Sequence, residues 1–299
     1  MLKKGSRVLC EKPGVKYALI AQYVGQFRIT LMCKALKVSR SGFYRYLNRK
    51  PSYKAQKHAE LAHHVKETYE VFKARYGAPR ITYELNASGV RCSLNTVAKI
   101  MQELALKARN GKAFRYSHSS YSSSNVEENV LAQRFTTEHA NRKWVSDITY
   151  IRVRGQWLYL AAVMDLFSRA IVGWALDTSM TVKLISDAFN MALARREVKP
   201  GLMLHSDRGV QYRAVAYQDL VRSSGAIISM SRKSNCWDNA VMESFFSRLK
   251  VELIYAEKFH SIQHVKSCMF EYIEIFYNRK RRHSALGYLS PLEYEQRFA

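Results

Sequence analysis

Residues 143–166 read KWVSDITYIRVRGQWLYLAAVMDL, and this stretch decides the fold. It is rich in β-branched and aromatic side chains, which favour extended strands. Arg154 and Gly155 interrupt it with a dipeptide that is typical of a tight turn. We therefore predict two successive strands, residues 143–153 and 155–166, joined by that turn.

The residues that follow alternate between strand and helix patterns. The predicted elements are a third strand over 169–176, a helix over 182–196, a strand over 202–205, a helix over 215–223, a strand over 226–230 and a long helix over about 238–254. Three consecutive strands followed by alternating helices and strands predict an α/β domain with a mixed sheet. We assign this domain, with its basic tail, to residues 135–299.

The first 50 residues predict two short helices. Thr30 is placed to cap a helix that runs to Leu36, and Ser39 to cap a second one that runs to Leu47. This is the layout of a helix-turn-helix, whose later helix enters the major groove, although a plain helical hairpin has the same pattern. The apolar residues expected to pack between the helices are Leu31, Ala35, Val38, Phe43 and Leu47; those expected on the outer face are Arg40, Ser41, Tyr44 and Arg45, of which Arg40 and Arg45 are candidate DNA contacts.

Residues 51–108 repeat this arrangement and predict a second DNA-binding segment. Helices are expected over 59–73, 80–85 and 94–106, with a turn at 76–79 and Ser93 as the cap of the last helix. That helix is expected to expose Asn95, Thr96, Lys99 and Gln102, with Lys99 a candidate DNA contact. Residues 109–134 are basic and serine-rich, which is typical of a linker. The linker is either a solvated tether or a segment that follows a DNA backbone.

The charge of the chain indicates its partner. Lys and Arg total 48 against 24 Asp and Glu, which gives a formal net charge of +24. Such an excess attracts polyanions, so nucleic acid is the leading partner; an anionic membrane surface is the rival, but the basic residues are not gathered on one amphipathic helix. No apolar run is long enough for a membrane span, and the five cysteines form no CxxC pair, as in a reducing cytosol. We expect a cytoplasmic, nucleoid-associated protein without a membrane partner.

Three carboxylates fall at positions that favour a catalytic site. Asp147 lies inside the first predicted strand, where a charge among apolar neighbours is costly unless something compensates it. Asp207 directly follows the strand over 202–205, and ligand sites gather at the carboxyl ends of strands in α/β sheets. Glu243 lies on the long helix, where a solvated surface glutamate is the default interpretation. Its coincidence with the two aspartates favours a shared site.

Helical geometry and metal chemistry agree with that interpretation. At about 100° per residue, Asn239, Ser247 and Lys250 share the polar face of Glu243, whereas Glu252 points nearly opposite and is a poor catalytic candidate. Three carboxylates from separate elements can hold two Mg²⁺ ions, with Mn²⁺ as a substitute, for phosphodiester chemistry without a covalent protein intermediate. Lys250 is placed to bind a phosphate beside the ions.

Motifs along nearly the whole chain, from about Lys16, resemble one protein family. They are WVSDITY at 144–150, HSDRGVQY at 205–212, CWDNAVMESFFSRLK at 236–250, YNRKRRHSALGYLSP at 277–291, KYALIAQYVGQFRITLMCKALKVSRSGFYRYL at 16–47 and YGAPRITYEL at 76–85. The interval from Asp207 to Glu243 leaves 35 residues between them, as in DDE transposases and retroviral integrases. The chain is similar to the second-frame transposases of insertion sequence family three, whose catalytic core has a ribonuclease H-like fold.

The resemblance implies an activity and partners. It implies that Asp147, Asp207 and Glu243 are the metal-binding catalytic acids and that Lys250 contacts the terminal DNA of the mobile element. In this family a 3′-hydroxyl freed at one element end attacks near the other end, and the circular intermediate later integrates. The expected partners are the terminal inverted repeats, target DNA and further copies of the chain. The upstream-frame protein, separate or fused, is a further candidate, because residues 1–15 look like the remainder of that frame.

Other polar residues near the motifs have plainer explanations. Asp165 is expected to cap a turn or form an ion pair rather than to be a fourth ligand. His205 is expected to be a hydrogen-bonded residue at a strand end. Trp237 is either a core residue or a base-stacking one, and Asn239 is expected to orient Glu243 or to contact DNA.

The basic tail carries the last group of candidate DNA contacts. A run of basic residues is solvated by default, but next to an active site for DNA we expect it to bind phosphates. The candidates in this run are Arg279, Arg281 and Arg282.

Two other functions compete with a transposase. A sequence-specific regulator without chemistry would explain the helix-turn-helix patterns but not the three acids. A ribonuclease H-like nuclease that degrades RNA–DNA hybrids would explain the acids but not the DNA-binding front half. Metal-dependent cleavage separates the first alternative from a transposase, and strand transfer separates the second.

Overall fold

The computed structural model describes residues 11–109, 126–232 and 236–299. It divides into two compact units, Met1–His64 and Val65–Ala299. Most of the predicted linker, residues 110–125, lies outside the described residues, as do the side chains of Cys236 and Trp237. The boundary falls within the predicted second DNA-binding segment, 51–108: residues 51–64 belong to the smaller unit, and residues 65–108 belong to the larger unit with the catalytic domain.

A five-stranded mixed sheet forms the centre of the larger unit. Its strands are β1 (Lys143–Val153), β2 (Gln156–Asp165), β3 (Ile171–Asp177), β4 (Met203–Ser206) and β5 (Ile227–Met230). Their order is β3-β2-β1-β4-β5; β2 is antiparallel to both β1 and β3, whereas β4 and β5 run parallel to β1. The prediction of a ribonuclease H-like mixed sheet is confirmed.

The turn between β1 and β2 has the predicted chemistry. Arg154 and Gly155 both have positive φ, 48° and 87°. Two successive left-handed residues make the kind of turn whose twist matches that of paired strands. The pairing that follows runs without a break from Val153 opposite Gln156 to Trp144 opposite Asp165. This long hairpin therefore fixes the register of the centre of the sheet.

Helices cover the sheet and bury its apolar residues. Helix α7 (Val182–Arg195) packs on β2 and β3, and α8 (Val215–Ser223) packs on β5. The closest approach is at Gly173 of β3, where an added Cβ would collide with the Ala188 carbonyl oxygen. The core on this side gathers side chains that are at most 3% exposed, among them Trp144, Val163, Phe189, Leu204 and Val221.

The C-terminal part is helical, with irregular turns. A 3₁₀ turn (Cys236–Asn239), helix α9 (Ala240–Leu249) and a π-helical segment (Lys250–Ile254) correspond to the predicted long helix. They are followed by α10 (Ile262–Phe270), a second π-helical segment (Glu271–Tyr277) and α11 (Pro291–Phe298). The sequence predicts the position of the first run but not its π-helical turn.

The smaller unit corrects part of the first prediction. Helices α1 (Pro13–Gln22), α2 (Ile29–Ala35) and α3 (Arg40–Leu47) pack on one another. Ser39 caps α3 by accepting the Gly42 N–H, as predicted, but Thr30 lies inside α2 and is not its cap.

The packing of this unit also differs from the prediction. Leu31, Ala35 and Leu47 are exposed, whereas Phe43 is buried as expected. Because α1 was not predicted, the face of α2 that it covers could not be assigned. The buried residues are Ile20, Cys33, Leu36 and Phe43, and the exposed outer face of α3 includes Arg40, Ser41, Tyr44 and Arg45.

The segment before the catalytic domain contains three further helices, α4 (Tyr53–Val71), α5 (Ala78–Ala87) and α6 (Leu94–Glu103). Gly89 turns the chain at φ 89°, and Ser93 caps α6 by accepting the Thr96 N–H. Asn95, Thr96, Lys99 and Gln102 are exposed, as predicted. Among the described residues, no helix is both long and apolar enough to cross a membrane.

Candidate active site

Parallel pairing of β1 with β4 places two of the predicted acids side by side. The last paired residues are Val145 and His205. Two positions further along each strand are Asp147 and Asp207. Because neighbouring strands lie about 4.8 Å apart and side chains alternate with a period of two, these carboxylates project from adjacent chains on the same face.

Local hydrogen bonds orient both aspartates. One oxygen of Asp147 accepts the N–H of Ile148 at 2.8 Å, and one oxygen of Asp207 accepts the N–H of Gly209 at 2.8 Å. A Cβ at position 209 would lie 2.9 Å from that Asp207 oxygen, which explains why glycine occupies the position. Below them, the Ser146 and Tyr212 hydroxyls are 3.0 Å apart and buried. Backbone N–H groups thus fix the orientation of both aspartate side chains.

Glu243 approaches the aspartates from helix α9. It lies in the first turn of α9, which packs against β1. Burial raises the pKa of Asp147 well above its usual range, and the negative charges of Asp207 and Glu243 raise it further. Burial also raises the pKa of Asp207, an effect that the Gly209 N–H and Arg213 partly offset. The three carboxylates therefore share one electrostatic environment with an excess of negative charge.

Lys250 lies at the edge of this group. Its ammonium is 4.8 Å from the centre of the Tyr150 ring, a cation–π contact. Burial lowers the pKa of Lys250, while the charge of Asp147 opposes that shift. The ammonium is thus close enough to Asp147 for the two charges to interact. Tyr150 is a neighbour that the sequence did not indicate, because the contact depends on how the α9 region packs against β1.

The donor set fits a divalent cation. Carboxylate oxygens are the hard ligands that Mg²⁺ prefers, and the mutual repulsion that raises the Asp147 pKa is what a cation would neutralise. Within the described part of the chain, no three His, Cys, Asp or Glu side chains are close enough to hold an ion together.

Family models match most of the chain. An integrase core domain model matches residues 137–236, a second integrase core domain model matches 243–298, and an HTH-like domain model matches 56–114. The transposase InsF for insertion sequence IS3A of Escherichia coli (strain K12) is 42% identical over 287 residues, which cover 95% of this chain and 99% of that protein.

The chain belongs to the IS3 family of transposases.

Another curated protein and two solved structures are also similar to this chain. The "Insertion element IS600 uncharacterized 31 kDa protein" of Shigella sonnei is 38% identical over 89% of this chain and 98% of its own length. Among solved structures, a simian T-cell lymphotropic virus intasome chain aligns with a TM-score of 0.46 and 12% identity, covering 77% of this chain and 74% of that one. The HTLV-2 integrase catalytic core in complex with magnesium aligns with a TM-score of 0.40 and 14% identity, covering 52% and 97%.

Two of the basic tail residues of this IS3-family transposase form ion pairs within the protein. Arg281 is 3% exposed, and its guanidinium donates to both oxygens of Glu252, at 2.7 and 2.9 Å. Arg282 is engaged by Glu84 at 2.7 Å and by Glu293 at 2.6 Å. Both arginines are engaged by carboxylates inside the protein, and their contact with DNA phosphates stays a prediction.

Asn239 differs from its predicted role as a DNA contact. It is 5% exposed, and its side-chain oxygen is buried without a hydrogen-bond partner among the described residues. A buried side chain has no surface to present to DNA, although its place one turn before Glu243 still allows it to orient that residue. The other candidates, Arg40, Arg45, Lys99 and Arg279, are exposed and stay predictions.

The plainer explanations of Asp165 and His205 are confirmed. Asp165 is buried and caps the turn between β2 and β3 by accepting the N–H groups of Asn141 and Phe167, at 2.7 and 2.9 Å. His205 is buried between Ser229 and Ser231, with one hydroxyl on each ring nitrogen. Both side chains are thus engaged by neighbouring groups, as expected.

Asp165 makes folding stability depend on pH. Burial raises the pKa of this carboxyl to about 6, despite the two N–H donors. Between about pH 4 and pH 6 the folded state therefore holds a proton that the unfolded state has lost, so ionisation destabilises the fold as the pH rises through this window. We expect the free energy of unfolding of the wild type, relative to Asp165→Asn, to fall by on the order of 3 kcal/mol from pH 4 to pH 7. Denaturant titrations of both proteins across this range measure the difference; a constant difference would contradict the prediction.

Proposed function

We propose that this transposase cuts DNA at the ends of an insertion sequence and joins the freed 3′-hydroxyl to a second site, with Asp147, Asp207 and Glu243 as its catalytic acids. The observation that supports the assignment is the shared environment of the three carboxylates, in which the Asp147 pKa responds to both other acids. Each acid comes from a different element, so one site gathers ligands from β1, the end of β4 and α9.

The carboxylates would hold two Mg²⁺ ions, with Mn²⁺ as a substitute. Such ions activate an attacking water or 3′-hydroxyl and stabilise the leaving oxygen, so no covalent bond to the protein is needed. The chain itself positions the ligands: the Ile148 and Gly209 N–H groups fix one oxygen of each aspartate, which leaves the other oxygen available. Lys250 would bind a phosphate of the terminal DNA beside the acids.

The DNA partners follow from the charge and the exposed helices. We infer that the terminal inverted repeats and the target DNA bind as duplexes, because a net charge of +24 favours several phosphate contacts. Arg40, Arg45, Lys99 and Arg279 are exposed and are proposed contacts. Two element ends must meet for joining, so we propose an oligomer of this chain on DNA, with the upstream-frame protein as a further candidate partner.

A joining assay tests this function. The substrate is a labelled duplex that carries one end of the insertion sequence, incubated with the full chain and Mg²⁺, Mn²⁺ or EDTA. We expect nicking at the end and joining to a second duplex with either metal, and neither product with EDTA. A regulator would bind the duplex without either product, and a simple nuclease would nick without joining. Either result would refute the proposal.

Metal binding has a readout that is independent of turnover. A ligand that binds only the folded state raises its stability according to its concentration and affinity. We expect Mg²⁺ to raise the thermal midpoint of the wild type and to leave that of Asp207→Asn unchanged. An equal shift of the thermal midpoint in both proteins would mean that Mg²⁺ binds at a site that does not include Asp207.

A further inference from the structure

A basic pocket lies beside α9 and is separate from the carboxylate site. Its volume is about 380 Å³, and arginines from four parts of the larger unit line it. Arg80 comes from α5, Arg169 from the turn after β2, Arg248 from α9 and Arg281 from the tail. Its lining contains no Asp or Glu side chain. The charged side chains that line the pocket are therefore all positive.

Three of the four arginines are not neutralised. Arg281 is paired with Glu252, but Arg80, Arg169 and Arg248 form no salt bridge within the described part of the chain. Arg80 instead donates to the Arg282 carbonyl oxygen at 2.8 Å, and Arg169 donates to the Phe135 carbonyl oxygen at 3.4 Å. These acceptors are neutral, so an anion in the pocket would meet three guanidinium groups without a direct ion-pair partner, although the charge of Glu252 also acts on Arg80.

Two buried polar atoms in the same pocket also lack a partner. They are Nη1 of Arg169 and Nε2 of His283, neither of which has a hydrogen-bond partner among the described residues. Burial, together with the charges of Arg281, Arg80 and Arg169, lowers the pKa of His283 to about 2, so its ring is neutral. Buried groups left without a hydrogen bond are costly and require an explanation. An anionic acceptor in the pocket would supply one.

We propose that this pocket binds a phosphate group of the DNA backbone, at a site distinct from the reacting phosphodiester. Val241 and Ser244 of α9 line the pocket. At about 100° per residue they lie roughly 200° and 100° around the helix from Glu243. The pocket thus faces away from the carboxylates, and the phosphate it holds belongs to a different stretch of DNA from the one being cut.

The chemistry favours a phosphate over other anions. Guanidinium groups present forked donors that match phosphate oxygens, and arginines converging from separate segments can surround a tetrahedral group. Arg80 belongs to the segment matched by the HTH-like model and Arg248 to the integrase core. A phosphate bound here would contact both. The inference rests on the proposed function only in naming DNA as the source of the phosphate.

The salt dependence of DNA binding tests the pocket. Binding of an end-bearing duplex is measured with EDTA, so that no reaction occurs, over a range of salt concentrations. The slope of log K against log salt is negative, and each lost phosphate contact reduces its magnitude by about 0.9. We expect this decrease for Arg248→Gln and for Arg169→Gln, and we expect Arg169→Lys to retain much of the slope because it keeps the charge. Arg222→Gln is the matched control, since Arg222 is exposed and paired with Glu127 and Asp219 away from the pocket.

The outcomes separate this inference from the proposed function. If the slopes for Arg248→Gln and Arg169→Gln equal that of Arg222→Gln, the inference that the pocket binds a DNA phosphate is wrong, whether or not the wild type joins DNA. Conversely, a wild type that fails to join DNA but shows the expected slopes would refute the function and retain the pocket. A titration with inorganic pyrophosphate completes the test: competition with DNA that is lost in Arg248→Gln supports the site. Pyrophosphate binding at Arg248 that leaves DNA affinity unchanged identifies a small-anion site and overturns the assignment to DNA.

Discussion

Replacing Asp147 by Asn, Asp207 by Asn or Glu243 by Gln is expected to abolish metal-dependent cutting and joining while the protein still folds and binds DNA. The amides keep the size of the carboxylates, and an Asn oxygen can still accept the N–H of Ile148 or Gly209. What is lost is negative charge at the site, and with it the ability to hold divalent cations. Loss of one preorganised electrostatic group at a reacting centre costs about 10²–10³ in rate, and loss of a metal ligand should exceed that.

The folding of these variants is part of the prediction. Burial raises the pKa values of Asp147 and Asp207, and the charges of Asp207 and Glu243 raise that of Asp147 further, so these carboxylate charges oppose folding when no cation is bound. The neutral variants should therefore unfold at temperatures no lower than the wild type in EDTA. Joining by any one variant at close to the wild-type rate, measured with Mg²⁺ in single-turnover assays, would refute its assignment. Asp187→Asn is the control, because that carboxylate is exposed and paired with Lys183 on α7.

The sequence predicted the sheet better than the packing of the helices. Strand positions 143–153 agree with β1 at both ends, because β-branched residues and a turn dipeptide are local signals. The three acids were recognisable from motif spacing. Their grouping depends on the pairing of Val145 with His205, a contact between residues 60 positions apart that a single sequence does not reveal. The contact of Tyr150 with Lys250 likewise depends on long-range packing, here of the α9 region against β1.

The basic tail shows what charge alone does not reveal. A run of arginines predicts a phosphate-binding surface only if no carboxylate competes for it. Here Glu252 and Glu84 pair with Arg281 and Arg282 from 29 and 198 positions away in the chain. Glu252 was set aside as non-catalytic because of its position on the helix, which was reasonable, but its actual partner lies in the tail. Pairing between distant residues is the information that composition and spacing lack.

Removing the Arg281 side chain is expected to destabilise the larger unit by about 3–5 kcal/mol. Arg281 donates two hydrogen bonds to Glu252, and the Tyr272 hydroxyl donates a third at 2.9 Å. Burial disfavours the Glu252 carboxylate, but these bonds outweigh it and lower its pKa. In Arg281→Ala the carboxylate stays buried, 2% exposed, without its countercharge. Denaturant unfolding measures the loss, and Arg279→Ala, which removes an exposed arginine two positions away, should change stability by no more than about 0.5 kcal/mol.

The double variant Glu252→Leu, Arg281→Met distinguishes the cost of an unpaired charge from the value of the pair. Two apolar side chains need no countercharge, and such replacements of buried ion pairs are often neutral or stabilising. The backbone oxygen of Glu252 still accepts from Arg75 at 3.3 Å and from Arg109 at 3.0 Å in either variant, so those contacts are constant. We therefore expect the double variant to recover most of the stability lost in Arg281→Ala. If Arg281→Ala and the double variant are equally unstable, the ion pair between Glu252 and Arg281 is itself what holds the tail against the segment Lys250–Ile254. Loss of the pair should then also lower the joining rate.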